Sequence, residues 1–258
     1  MDAYVAHPDA DGKFPLVVLF MDIWGLREEL FAITRRIAAE GYYAMVPNLF
    51  HREGRFSLTQ RDAEGRAVSF NLLPEDLQRD MRARAERLSR GTLRADLAAI
   101  LDFCAREPVR DGPAGSIGFC MGGREAFFAA QEFPERFCAT ASLHGSRLVT
   151  PAEDSPHRLA PRMRGEVYCG FAEFDRGAPP EVIATIEQAL RGVAGLTCHT
   201  QTHRGAHHGY ALPDRDVHDH AAAESDWREI FAMLRRQLAP EPVGLKHFPF
   251  IWKHSRHA

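Results

Sequence analysis

The chain has 258 residues, 45% of them hydrophobic, enough to fill the core of one large domain, and a single domain over residues 1–258 is the expected organisation. Its formal charge of -3, with both signs interspersed, lacks the basic excess of a nucleic-acid or anionic-membrane surface, and no run of eighteen apolar residues suggests a span. Five cysteines (Cys104, Cys120, Cys138, Cys169, Cys198) without C-x-x-C spacing argue against a disulfide framework or a zinc ribbon. With an N-terminus that lacks a basic region followed by an apolar stretch, they predict a cytoplasmic protein.

Apolar runs of strand type occur at 14–21, 42–46, 114–119, 138–143, 167–171 and 196–203. Stretches with three-to-four-residue apolar spacing, at 30–40, 92–106, 124–132, 180–191 and 221–238, alternate with most of them. Alternation of this kind predicts an α/β domain with a mostly parallel sheet covered on both faces. Residues 52–90 break the rhythm, being charge-rich and strand-poor. Their position after the second strand makes them a candidate lid over a crevice, whereas their paired arginines and glutamates fit a solvated helical crossover.

The central chemical feature is Gly118-Phe119-Cys120-Met121-Gly122-Gly123, between an apolar strand and a helical stretch. Glycines bracketing a nucleophilic residue at a strand-to-helix reversal are the signature of a nucleophile elbow, here with sulfur in place of oxygen. A thiol at a helix N-terminus is favoured as thiolate, and the adjacent backbone N–H groups suit an oxyanion, so the pattern points to acyl transfer.

A thiolate nucleophile needs a base. The segment Thr202-His203-Arg204-Gly205-Ala206-His207-His208-Gly209-Tyr210 follows the last apolar run, where such a histidine would reach back to the elbow. An acid to orient it is available after the preceding strand, as Glu173 or Asp175. The chain order is then Cys, acid, His.

These motifs, with Met21-Asp22-Ile23-Trp24-Gly25, the stretch from Gly41 to Leu49 and Pro179, resemble the dienelactone hydrolase (carboxymethylenebutenolidase) family, over most of the chain. The resemblance implies an α/β-hydrolase fold and a cysteine-dependent hydrolase of a small ester or lactone. It implies Cys120 as nucleophile, His208 as base, because the family histidine directly precedes glycine and an aromatic residue, and Asp175 as the orienting acid, because Pro179 follows it by four. It further implies backbone N–H groups of Ile23 and Met121 as the oxyanion hole. Asp22 stands where founding members carry a glutamate that touches the resting thiol, one methylene longer; it is expected either to act as that thiol-contacting acid or only to bind backbone N–H groups at the strand end. No metal or organic cofactor is implied, and the expected partner is a small-molecule substrate, with the protein a monomer or homodimer. Trp24 is expected to wall the pocket or to pack on the sheet.

The resemblance implies an arginine for a substrate carboxylate where this chain has Leu212; Arg27, Arg52, Arg147, Arg176 and Arg215 are the candidates to compensate, each otherwise expected to be a surface ion pair or a solvated cation. Two other classes compete with a thiol hydrolase. One is a metal-dependent hydrolase built on His203, His207, His208, His218 and His220; Gly205 between the first two and the lack of H-E-x-x-H weigh against it. The other is a hydrolase-fold protein that binds a ligand without turnover. Residues 240–258, aromatic and basic, are expected to form a C-terminal extension that docks on its own domain or on a second subunit.

Overall fold

A computed structural model describes residues 1–239. The expected C-terminal extension lies outside them. Among the described residues one seven-stranded sheet carries β1 (Ala3–Ala6), β2 (Leu16–Phe20), β3 (Tyr43–Pro47), β4 (Ala114–Phe119), β5 (Phe137–Leu143), β6 (Glu166–Phe174) and β7 (Thr197–His207) in the order β1-β3-β2-β4-β5-β6-β7. All neighbouring strands are parallel except β1, which runs antiparallel to β3. The helices are α1 (Glu28–Ala39), α2 (Glu75–Arg87), α3 (Arg90–Cys104), α4 (Met121–Glu132), α5 (Pro180–Arg191) and α6 (His220–Leu238).

The central strands are continuous apolar runs because helices cover both faces of the sheet. Every residue of β2 and β4 is buried. The first turn of α1 carries Glu28 and Glu29 against its positive dipole end, and the helix turns Leu30, Ile33 and Ile37 to the core. A capping box between Ser89 and Thr92 starts α3, and the Asp219 side chain caps α6 by accepting from the Ala222 N–H.

The strand order reverses between β2 and β4, so the loops leaving their carboxyl ends diverge and open a crevice there. The loop after β2 holds Asp22 to Gly25 and the turn after β4 holds Cys120. Two further chain segments enter the same end, Asp175 directly after β6 and His208 directly after β7.

Segment 52–90 departs from a plain solvated crossover. Its helix α2 does carry surface ion pairs, Arg84 with Asp80 and Glu53, and Arg87 with Glu53. Residues 55–73 are largely non-helical and build a satellite core in which Leu58, Ala67, Leu73 and Met81 close around Trp24. The segment is pinned at both sides of the crevice. The Leu58 N–H donates to the Trp24 carbonyl at 3.0 Å, the Ala67 N–H to the Asp214 carbonyl at 2.7 Å, and Ser69 donates through N–H and hydroxyl to Asp216 at 2.6 and 3.0 Å. No described helix is long and apolar enough to cross a membrane.

Candidate active site

Cys120 occupies a backbone conformation that L-residues avoid, with φ 54° and ψ -116°. Such a conformation costs on the order of 1–3 kcal/mol and persists only where surroundings over-determine it. Here they do. The Cys120 N–H donates to the Leu143 carbonyl at 3.0 Å, while its own carbonyl accepts from Gly123 at 3.0 Å and Ser146 at 2.9 Å. The glycines are steric requirements, since a Cβ on Gly118 would lie 1.8 Å from the Gly122 carbonyl oxygen and one on Gly122 would lie 2.3 Å from that of Phe20.

His208 reaches this elbow because β7 bulges near its end. Ala172 pairs with His203 but Phe174 pairs with His207, and Gly205, at φ 78°, takes up the extra length. The ring Nδ1–H of His208 donates to the Asp175 carboxylate at 2.6 Å, which fixes the tautomer and turns Nε2 to other uses. Asp175 in turn accepts from the Gly177 N–H at 2.7 Å. His208 and Cys120 line the same cavity. Burial opposes its protonation, but the negative charge of the Cys120 sulfur and the bond to Asp175 outweigh that and raise its pKa to about 10.

The other candidates have separate partners. Glu173 accepts from the Gly205 N–H, and exposed His207 packs on Phe174. His203 is bonded to Asp226, which also accepts from Tyr168 and Tyr210. The histidines are thus dispersed, and among the described residues no group of three His, Cys, Asp or Glu side chains could hold a metal ion.

A cavity of about 310 Å³ lies over the elbow, lined by Ile23, Trp24, Ser69, Phe70, Arg82, Cys120, His208 and Arg215. Trp24 therefore serves both expectations in part: it walls the cavity and is buried, though in the satellite core rather than against the sheet. The N–H groups of Ile23 and Met121 donate to no acceptor among the described residues, which leaves both for a ligand.

A model of the dienelactone hydrolase family matches residues 1–238. The chain belongs to that family. A Synechocystis protein provisionally named carboxymethylenebutenolidase is 26% identical over 244 residues, covering 91% of each chain, and an Escherichia coli O157:H7 protein of the same provisional name is 26% identical over 92% of this chain and 82% of its own. Among solved structures, a Klebsiella pneumoniae protein provisionally named a dienelactone hydrolase aligns with TM-score 0.76 at 24% identity, covering 91% of this chain and 92% of that one. A metagenomic dienelactone hydrolase-like promiscuous phosphotriesterase aligns with TM-score 0.67 at 19% identity, over 91% and 92%. The fold is that of the α/β-hydrolases.

Of the two readings of Asp22, the structure shows the contact to a backbone N–H, together with an ion pair to Arg27 that neither reading included. The buried Asp22 carboxylate accepts from Arg27 at 2.6 and 3.1 Å and from the Trp24 N–H at 3.2 Å, with no hydrogen bond to Cys120. The shorter aspartate stays on its own loop, and Arg27 extends the link to Asp214 at 2.6 Å. The side chain that contacts the thiol is Ser146, with Sγ to Oγ 3.9 Å. No sequence signal marks Ser146, since only the third dimension carries the loop after β5 past the elbow.

The five candidate arginines sort by environment. Arg27 is committed to Asp22 and Asp214, and Arg52 to Asp96. Arg215 is buried, lies 3.9 Å above the Trp24 ring and lines the cavity; burial, with Arg27 nearby, lowers its pKa despite Asp22, Asp216 and Cys120. Arg176 is exposed and lines none of the cavities described here, whereas Arg147 borders a second one beside Cys120. Arg82, from α2, joins Arg215 at the first cavity and was hidden in the sequence among like charges on a helix.

Proposed function

We propose that the protein hydrolyses small activated carboxylic esters or lactones through a thioester on Cys120. The observation that carries this reading is the hydrogen bond of His208 Nδ1 to Asp175 at 2.6 Å, in a histidine that lines the same cavity as the elbow thiol. Cys120 thiolate attacks the carbonyl carbon, and the oxyanion receives the Ile23 and Met121 N–H groups. The carbon–oxygen bond then breaks. The leaving oxygen takes the His208 proton, and a thioester remains.

Forming the thioester removes the sulfur's negative charge, which is the first influence holding the proton on His208. Its pKa must then fall toward the value set by burial and Asp175, so the ring that acted as acid becomes a base for water. Hydroxide adds to the thioester carbonyl, the carbon–sulfur bond breaks, and acid and thiolate are released. Asp22 in this reading holds the loop through Arg27 and takes no part in thiol activation.

The test is turnover of 4-nitrophenyl acetate and of a dienelactone, under reducing conditions with a chelator, by wild type and Cys120→Ala. Loss of turnover in the variant supports the reading. Equal turnover contradicts it, and saturable binding without turnover by wild type favours a ligand-binding protein.

A further inference from the structure

A second histidine packs against the imidazole of His208. The His144 ring lies 5.0 Å from it, centroid to centroid, at an interplanar angle of 65°, an edge-to-face contact. The His208 side chain is 28% exposed and lines the cavity, whereas His144 is fully buried. His144 therefore backs the imidazole from the protein side. The bond to Asp175 fixes one edge of the His208 ring but leaves it free to rock about that edge, and a wall against the ring removes that freedom.

This wall is built at a cost. His144 leaves β5 at φ 39°, in the left-handed region that glycine adopts more cheaply, and its N–H holds it there by donating to the Gly170 carbonyl at 2.8 Å. Neither ring nitrogen has a hydrogen-bond partner among the described residues, although both are buried. Burial and the charges of His208 and Arg215 hold its pKa well below the usual histidine value, against the influence of its own backbone, so the ring is neutral. Strain and unpaired buried polar atoms are not what packing alone requires, and both fall on the residue that touches His208.

His144 is itself wedged from behind. Tyr210 packs on it at 5.4 Å and 72°, and Phe119, which precedes the nucleophile, at 6.0 Å. The Tyr210 hydroxyl donates to the buried Asp226 carboxylate at 2.6 Å; Asp226 also accepts from Tyr168 at 2.6 Å and is bonded to His203 at 2.5 Å. Gly170 lets the Tyr210 hydroxyl pass, since a Cβ there would lie 2.6 Å from it. A packed series thus runs from α6 through Tyr210 and His144 to His208.

Resting on the thioester reading above, in which His208 is acid and then base, we infer that His144 is a positioning residue, whose ring is the wall that holds the His208 imidazole on Asp175 and toward the cavity that Cys120 lines. Its nitrogens have no partner to give or take a proton, so a ring without nitrogens should serve as well.

The test compares His144→Gly and His144→Phe with wild type, by turnover of 4-nitrophenyl acetate and by the Nδ1–H proton resonance of His208, which the short bond to Asp175 moves far downfield. Glycine suits φ 39°, so this variant removes the wall without straining the chain. Its kcat should fall about tenfold or more with KM within about twofold, and the resonance should broaden or move upfield, because the ring no longer keeps one orientation. Phenylalanine should bring kcat back to within about threefold of wild type, and the resonance with it. Wild-type kcat in His144→Gly overturns the inference while Cys120-dependent turnover stands. So does a phenylalanine variant as inactive as the glycine one with the resonance intact in both, which would give the imidazole itself a chemical part. Absence of any Cys120-dependent turnover in wild type overturns the thioester reading, and an unchanged resonance in His144→Gly then overturns the positioning role separately.

Discussion

Asp22 and Arg27 form a buried pair at 2.6 Å in the loop that leaves β2, and through Arg27 that pair reaches Asp214 in the loop that leaves β7. Two chain segments that frame the cavity are thus tied by one guanidinium. Removing one partner of a buried pair leaves an uncompensated charge and typically costs about 3 kcal/mol or more. Asp22→Asn is therefore expected to lower the thermal midpoint by several degrees, read by calorimetry. The same variant, kept at a temperature where it is folded, should leave the alkylation rate of Cys120 within about twofold of wild type. A many-fold change in that rate with an unchanged midpoint would return Asp22 to the role of thiol-contacting acid.

His208 should respond to the charge on Cys120. Its pKa is about 10, held there by the sulfur and by Asp175 against the effect of burial. Carbamidomethylation makes the sulfur neutral, so the ring should titrate at lower pH in the modified protein than in the free one, observed by NMR of the imidazole nitrogens. Stability follows the same linkage. A histidine with its folded pKa raised above 6.5 contributes fully below that pH and loses the contribution as pH rises through about 10. Cys120→Ala, with a lower His208 pKa, should lose less stability across that window. An identical His208 titration in free and modified protein contradicts the coupling.

Asp216 docks segment 52–90 by accepting twice from Ser69. Asp216→Ala removes both bonds, worth about 1–2 kcal/mol together for partly buried groups, and loosens the Ser69 and Phe70 wall of the cavity. The expected result is a several-fold rise in KM with a smaller fall in kcat. A fall in kcat alone would place the effect on the chemical groups instead.

How far the sequence could be read depends on what kind of order each element has. The runs at 114–119 and 180–191 match β4 and α5 residue for residue, because a continuous apolar strand and a helix opened by proline carry local signals. β1 escaped notice, being only four residues long and antiparallel at the edge. β6 and β7 run past their apolar stretches, since pairing continues through polar and exposed positions such as Glu173 and Arg204.

At the site, spacing and family form marked Cys120, Asp175 and His208 as candidates, and the fold places His208 on Asp175 and beside Cys120 in one cavity. The satellite core was invisible because Leu58, Ala67 and Leu73 follow no helical or strand period and meet Met81 of α2 only around Trp24. For the same reason Ser146 and Arg82 gained meaning only from their neighbours.

The central claim is the thioester on Cys120, and the most direct measurement is intact-protein and peptide mass spectrometry of acid-quenched samples, taken within the first turnovers of 4-nitrophenyl acetate. The account predicts an acetyl adduct on the peptide containing Cys120, which builds up in His208→Gln, where water is no longer activated, and is absent in Cys120→Ala. An adduct on another residue, or steady hydrolysis by Cys120→Ala at the wild-type rate, would contradict it.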